Sequence, residues 1–163
     1  MFDVMDVAQY VINYCDREGH TITNLQLQKI LYFVQLEFYN VFKKLLFMDE
    51  FEAWYLGPTI VKVFKYYAAE GNQNPLKSKK IKQIAFNEKT MKIEENVVYP
   101  VLHFSTPSEQ EIVENTIQKY WSTEWGELIQ ISKHTQPWQI NYKENKTEKI
   151  PLSDMKKYCR NHC

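Results

Sequence analysis

The sequence predicts a mainly helical α+β fold: a single-domain helical bundle around a central buried helix, with a small β hairpin or sheet. Three observations carry this expectation. Apolar residues recur at three- and four-residue steps over most of the chain. The stretch "TNLQLQKILYFVQ", residues 23–35, is apolar on too many sides for a surface helix. Strand-like patterning is confined to two short regions, one near Phe51 and one between residues 77 and 100. With 163 residues the chain fits one domain, 1–163, large enough for a core without disulfide staples.

The first helix is expected over residues 4–18. Val4, Val7, Ala8, Val11, Ile12 and Cys15 share a face, Asp3 stands at the N-cap, and Gly19 supplies a left-handed stop. The second begins with the clearest signal in the chain. Thr23 and Gln26 have the spacing of a capping box, and Ile22 and Leu27 that of a hydrophobic staple. It should run over residues 24–44, with Leu27, Ile30, Leu31, Val34, Phe38, Val41 and Phe42 on one side and Leu25, Phe33 and Leu36 on the other.

"FEAWYLGP", residues 51–58, reads as one brief strand ended by Gly-Pro, with Pro58 opening a third helix that lasts to about residue 69. That helix should bury Ile60, Val61, Phe64, Tyr67 and Ala68, and Gly71 ends it. Two short strands around the polar "NEKT" turn form a small hairpin. "TPSE" then offers an N-cap, a proline at the first helical position and Glu109 at the capping-box position, so a fourth helix should reach residue 121 and bury Ile112, Val113, Ile117 and Tyr120. A fifth starts from Ser122 or Thr123 and a short sixth from "TQPWQI". Residues 143–149 form a charged loop and Ser153 caps a small terminal helix. Residues 143–149 and 159–163 are expected to be flexible.

Composition narrows the function. Twenty basic and twenty acidic residues cancel, and the only arginines are Arg17 and Arg160, so a nucleic-acid partner is not expected. No apolar run reaches the ~18 residues that span a bilayer. Three cysteines and an N-terminus unlike a secretory signal point to a reducing cytoplasm. The aromatic share of 15% is high, which suits a firm core and an adhesive surface alike.

Chemical motifs are scarce. Four glycines leave no phosphate-cradling loop, and neither a zinc-protease helix nor a nucleophile elbow is written. Cys159, His162 and Cys163 lack the fourth ligand of a structural zinc site, so no metal and no cofactor is expected. The lysines at 77, 79, 80 and 82 read as a solvated loop, and Glu109, Glu111 and Glu114 as acids at a helix start.

Two constellations remain. Gln28, Tyr32 and Gln35 fall at i, i+4 and i+7 on one line of the central helix, and Tyr39 extends it. An unpaired buried amide costs about 1–3 kcal/mol, so these groups require partners, either internal backbone or a molecule in a groove. The second constellation is "HTQPW", with His134 and Trp138, together with "AWYLGP", with Trp54, Gly57 and Pro58. Each sets a tryptophan beside a proline turn, which suits a binding anchor or a structural corner equally.

These pieces resemble the patterns "LTxLKLQKLLYFxQ", "FEAWxxGPVxxxVY" and "SxxxLxxxTHxxxPW", then a terminal Ile-Pro step, of the SocA-like or Panacea domain family. Here they read "TNLQLQKILYFVQ", "FEAWYLGPTIVKVF", "STEWGELIQISKHTQPW" and "IPLSDMKKY", in that order. The resemblance covers most of the chain. It departs at Lys133-His134-Thr135, where the family has Thr-His, and over residues 77–104, which are longer and more β-like than usual.

The resemblance implies an antitoxin of the kind found on phages and mobile elements. Such a protein neutralises a toxin encoded beside it by direct binding, in one type by handing the toxin to a protease as an adaptor. The partners so implied are a cognate toxin and, for an adaptor, a protease; a homo-oligomer is compatible with it. The candidate binding residues at the matching positions, some of them scaffold, are Gln28, Tyr32, Gln35, Trp54, Gly57, Pro58, His134 and Trp138; the resemblance does not identify which surface touches the toxin. The rival reading is a hydrolase-type enzyme using His134 beside the polar line of the central helix.

Overall fold

A computed structural model describes residues 1–162. Among the described residues the order is α1 (Val4–Arg17), α2 (Asn24–Phe42), β1 (Phe51–Trp54), β2 (Gly57–Thr59), α3 (Val61–Tyr67), β3 (Ile81–Asn87), β4 (Lys92–Val98), α4 (Pro107–Tyr120), α5 (Trp125–Lys133), α6 (Gln136–Asn141), β5 (Glu148–Ile150) and α7 (Leu152–Asn161). The fold is α+β and mainly helical.

The helix starts follow their local chemistry. The Asp3 carboxylate accepts from the Met5 N–H at 2.7 Å. At Thr23 both halves of the capping box form: its hydroxyl accepts from the Gln26 N–H, and the Gln26 carbonyl oxygen accepts from the Thr23 N–H. Thr106 accepts from the Glu109 N–H, whereas the Glu109 carboxylate turns to the Ser105 N–H and to Lys44.

The central helix is as expected in kind and shorter in extent. Lys43 takes a left-handed conformation, φ 55°, and ends α2 at Phe42. Val41, expected on the buried face, is exposed beside this end. Helices α1, α3, α4, α5 and α7 all pack on α2, and so does β2.

The segment read as one strand is a tight hairpin. β1 turns at Tyr55 and Leu56 into β2, pairing Trp54 with Gly57, Ala53 with Pro58 and Glu52 with Thr59. Gly57, at φ +92°, makes the return possible. Pro58 therefore lies in β2 rather than in a helix, and α3 starts after Ile60 and buries Val63 and Tyr67, while Ala68 is exposed. The expected charged loop contributes β5, whose Ile150 pairs with Phe51 and closes a three-stranded antiparallel sheet in the order β2-β1-β5. Two further starts differ: Glu124 caps α5 with its own carboxylate, and Pro151, not Ser153, precedes α7. Cys163, of the expected tail and of the Cys159–His162–Cys163 group, lies outside the described residues.

α2 reaches the loop after it through Gln35. The Gln35 side-chain N–H donates to the Phe47 carbonyl at 2.7 Å, and its oxygen accepts from the Leu46 N–H at 2.9 Å. Gln35→Leu would leave buried main-chain groups unpaired in a region where Leu46 and Phe47 are sealed. We expect a stability loss of at least about 2 kcal/mol, read by urea unfolding.

Candidate interaction surface

The amide line of α2 is spent inside the protein. Gln28 is fully buried; its oxygen accepts from the Ile60 N–H at 2.9 Å and its N–H donates to Asn24 at 3.1 Å. The Tyr32 hydroxyl shares a hydrogen bond with Thr135 at 2.8 Å, and burial raises its pKa above the usual phenol value. With Gln35, these groups tie α2 to the start of α3, to the start of α6 and to the loop before β1.

Beside that line lies a residue that sequence reasoning passed over. Lys29 is completely buried, and its ammonium donates to the Pro58 carbonyl at 2.8 Å. Burial pushes its pKa down to about 7. Its signal was present: Lys29 falls four residues from both Leu25 and Phe33, on the very side counted as apolar. Gly57 lies directly against this lysine. A Cβ on Gly57 would stand 2.6 Å from the Ser132 hydroxyl and 3.1 Å from Lys29 Cε. The β1–β2 turn is thus seated directly on the lysine and on α5.

The two tryptophan motifs converge on this seat. Trp138 is buried, and its indole N–H donates to the Trp54 carbonyl at 2.9 Å, across 84 residues of chain. Trp138 stacks on Tyr142 at 4.5 Å between ring centres, and Trp54 meets Phe64 edge-on at 5.1 Å. The Trp54 indole donates to Glu52 at 2.7 Å. The Lys133 ammonium lies 4.8 Å from the Tyr55 ring centre and 5.1 Å from that of Trp138. At the turn itself Tyr55 is 70% and Leu56 40% exposed. A groove of about 460 Å³ runs alongside, lined by Trp54, Tyr55, Tyr142, Glu144, Lys146 and Thr147.

His134 stands apart from this corner. It is exposed, with Nδ1 at 2.6 Å from the Gln130 carbonyl, and borders another groove of about 340 Å³ among Phe33, Tyr120, Tyr158 and Cys159. It shares no accessible cleft with Gln28. Cys159 is buried, with its thiol toward the Leu36 carbonyl at 3.4 Å. Burial pushes the Cys15 thiol up to about 12, which keeps it protonated. Among the described residues no group of three metal-ligating side chains forms, and no helix is long and apolar enough to cross a membrane.

The chain thus combines a buried polar spine on α2, an aromatic turn seated on it and two tryptophans that meet at one corner. Residues 27–139 match the family model described as antitoxin SocA-like, Panacea domain, and the chain belongs to that family. Comparison with curated proteins and with solved structures finds no match. The matched span contains Lys29, the β1–β2 turn and Trp138.

Two outcomes follow from this seat. With a folded pKa near 7 against an unfolded value near 10.4, Lys29 binds fewer protons folded than unfolded between those limits. Its destabilising effect is complete below pH 7 and recedes as pH rises. Stability should therefore climb from pH 7 to about 8.5, by up to ~1.4 kcal/mol per unit, and Lys29→Met should remove that slope in urea titrations. Gly57→Ala meets both a positive φ and the Ser132 hydroxyl, and should cost about 1–3 kcal/mol by thermal unfolding.

Proposed function

We propose that this protein neutralises a cognate toxin by direct protein–protein binding, with the Trp54–Trp138 corner as its anchor. The observation that supports this reading is the exposed Tyr55–Leu56 turn, held on a buried floor by Lys29, Gly57 and the Trp138 indole. Large side chains fixed in place before contact lose little freedom on binding, which is the character of interface hot spots. Family membership supplies the antitoxin-like role. The toxin as partner, and its hand-off to a protease as an adaptor's cargo, belong to this proposal.

The residues divide by task. Trp138, Gly57, Pro58, Gln28, Tyr32 and Gln35 hold the corner, while Tyr55, Leu56 and the open edge of Trp54 offer it. The hydrolase reading around His134 draws no support from Gln28 and Tyr32, whose polar groups are already engaged within the fold.

The test is growth of cells induced for the adjacent open reading frame, with and without this protein. Arrest by the neighbour alone and recovery on co-expression support the proposal; an expressed neighbour that is harmless overturns the pairing. Tyr55→Ala with Leu56→Asp should abolish recovery and leave thermal unfolding within about 0.5 kcal/mol. Trp138→Ala should lose recovery together with about 3–5 kcal/mol of stability.

A further inference from the structure

Among the described residues, the β3–β4 hairpin packs on no other element of secondary structure with more than marginal contact. Its register pairs Lys82 with Val97, Ile84 with Glu95 and Phe86 with Ile93. Alternation along the strands therefore puts Ile84, Phe86, Ile93 and Val97 on one face, with the Lys82–Glu95 ion pair (2.7 Å) among them. Ile84 and Ile93 are 73% and 75% exposed. A lone two-stranded hairpin is marginally stable in water, and an apolar face gives it no reason to stand out alone. Its feet are nevertheless anchored. The Lys79 N–H donates to Asn13 at 2.8 Å, and the Tyr99 hydroxyl donates to Asp16 at 2.6 Å. Hydrogen bonds from Tyr99 and Ser78 hold the Asp16 carboxyl below its ordinary pKa.

The two edges are unequal. β4 carries Lys92, Glu94 and Glu95, charges of the kind that block strand addition. β3, "IKQIAFN", has one lysine, no acid and four apolar residues, with Lys79 and Lys80 just before it. Residues 77–98 hold six lysines against three glutamates in a chain whose total charge is zero.

We infer that the hairpin is the arm by which this protein grips the toxin proposed above: the toxin adds a strand along β3 and covers the Ile84–Phe86–Ile93–Val97 face. This rests on the antitoxin reading. The surplus of lysine fits a partner with an acidic rim around an apolar strand. A second copy fits less well. Two hairpins face to face cover only about 240 Å² each, from strands about 24 Å long and a width near 10 Å, against about 800 Å² per partner in a stable interface. Edge pairing of two copies would leave both apolar faces bare.

The experiment co-expresses the full chain with the polypeptide of the adjacent open reading frame, and measures growth recovery, co-purification and hydrogen exchange of β3 amides. Wild type should recover growth, co-purify and gain protection in β3. Ile84→Ser with Ile93→Ser should weaken co-purification about tenfold or more with an unchanged melting temperature, while Ala85→Thr on the opposite face behaves as wild type. If the double variant recovers growth and co-purifies as wild type does, the arm is overturned and the antitoxin reading stands. If wild type itself neither recovers growth nor co-purifies, both fall. A concentration-dependent dimer by sedimentation, lost in the double variant, would replace the toxin by a second copy on this face.

Discussion

The need to satisfy polar groups on a largely buried helix governs this structure. α2 is buried over most of its length, and it carries Asn24, Gln28, Lys29 and Gln35 into the core. Each must find a partner within the fold: Asn24 the Phe64 carbonyl of α3, Gln28 the Ile60 N–H, Lys29 the Pro58 carbonyl of β2 and Gln35 the Phe47 carbonyl. The hydrogen bonds fix the start of α3, the β1–β2 hairpin and the loop before β1 against α2. Apolar contacts alone would tolerate sliding there; a carbonyl bound by a buried ammonium does not.

This division explains which parts of the fold were legible in the sequence. Helix starts such as Thr23 and Thr106 are decided by residues three apart, and the polar turn between β3 and β4 is equally local. What escaped was decided at a distance. Gly57-Pro58 reads locally as a strand end and helix start, but its pairing with Ala53 and Trp54 makes it a returning strand. Residues 148–150 look like charged loop until Ile150 meets Phe51. At the corner, Trp54 and Trp138 were visible as a pair of similar motifs, though not as hydrogen-bonded neighbours. Lys29 was hidden by its type, because a lysine in a helix is ordinarily assigned to solvent.

The protein therefore presents two contrasting surfaces. The Tyr55–Leu56 turn rests on the core, with its geometry held by Lys29, Ser132 and Trp138. The β3–β4 hairpin rests on its feet alone, at Asn13 and Asp16. In the toxin complex proposed above, a turn braced on the core would be shaped in advance, while a lightly held strand pair could follow the contour of what it meets.

The closing of the small sheet also sets an order in time. β1 and β2 are neighbours in the chain, but the other edge of β1 is filled only by residues 148–150, and the thiol of Cys159 reaches the Leu36 carbonyl across 123 residues. On a ribosome, which releases the chain from its N-terminus, α1 and α2 emerge long before the segments that complete the floor beneath Tyr55. A prematurely terminated chain would carry the aromatic turn without Trp138, β5 or α7 to brace it. The corner is in this sense completed late, only once residues 138–161 have been added to the chain that already carries the turn.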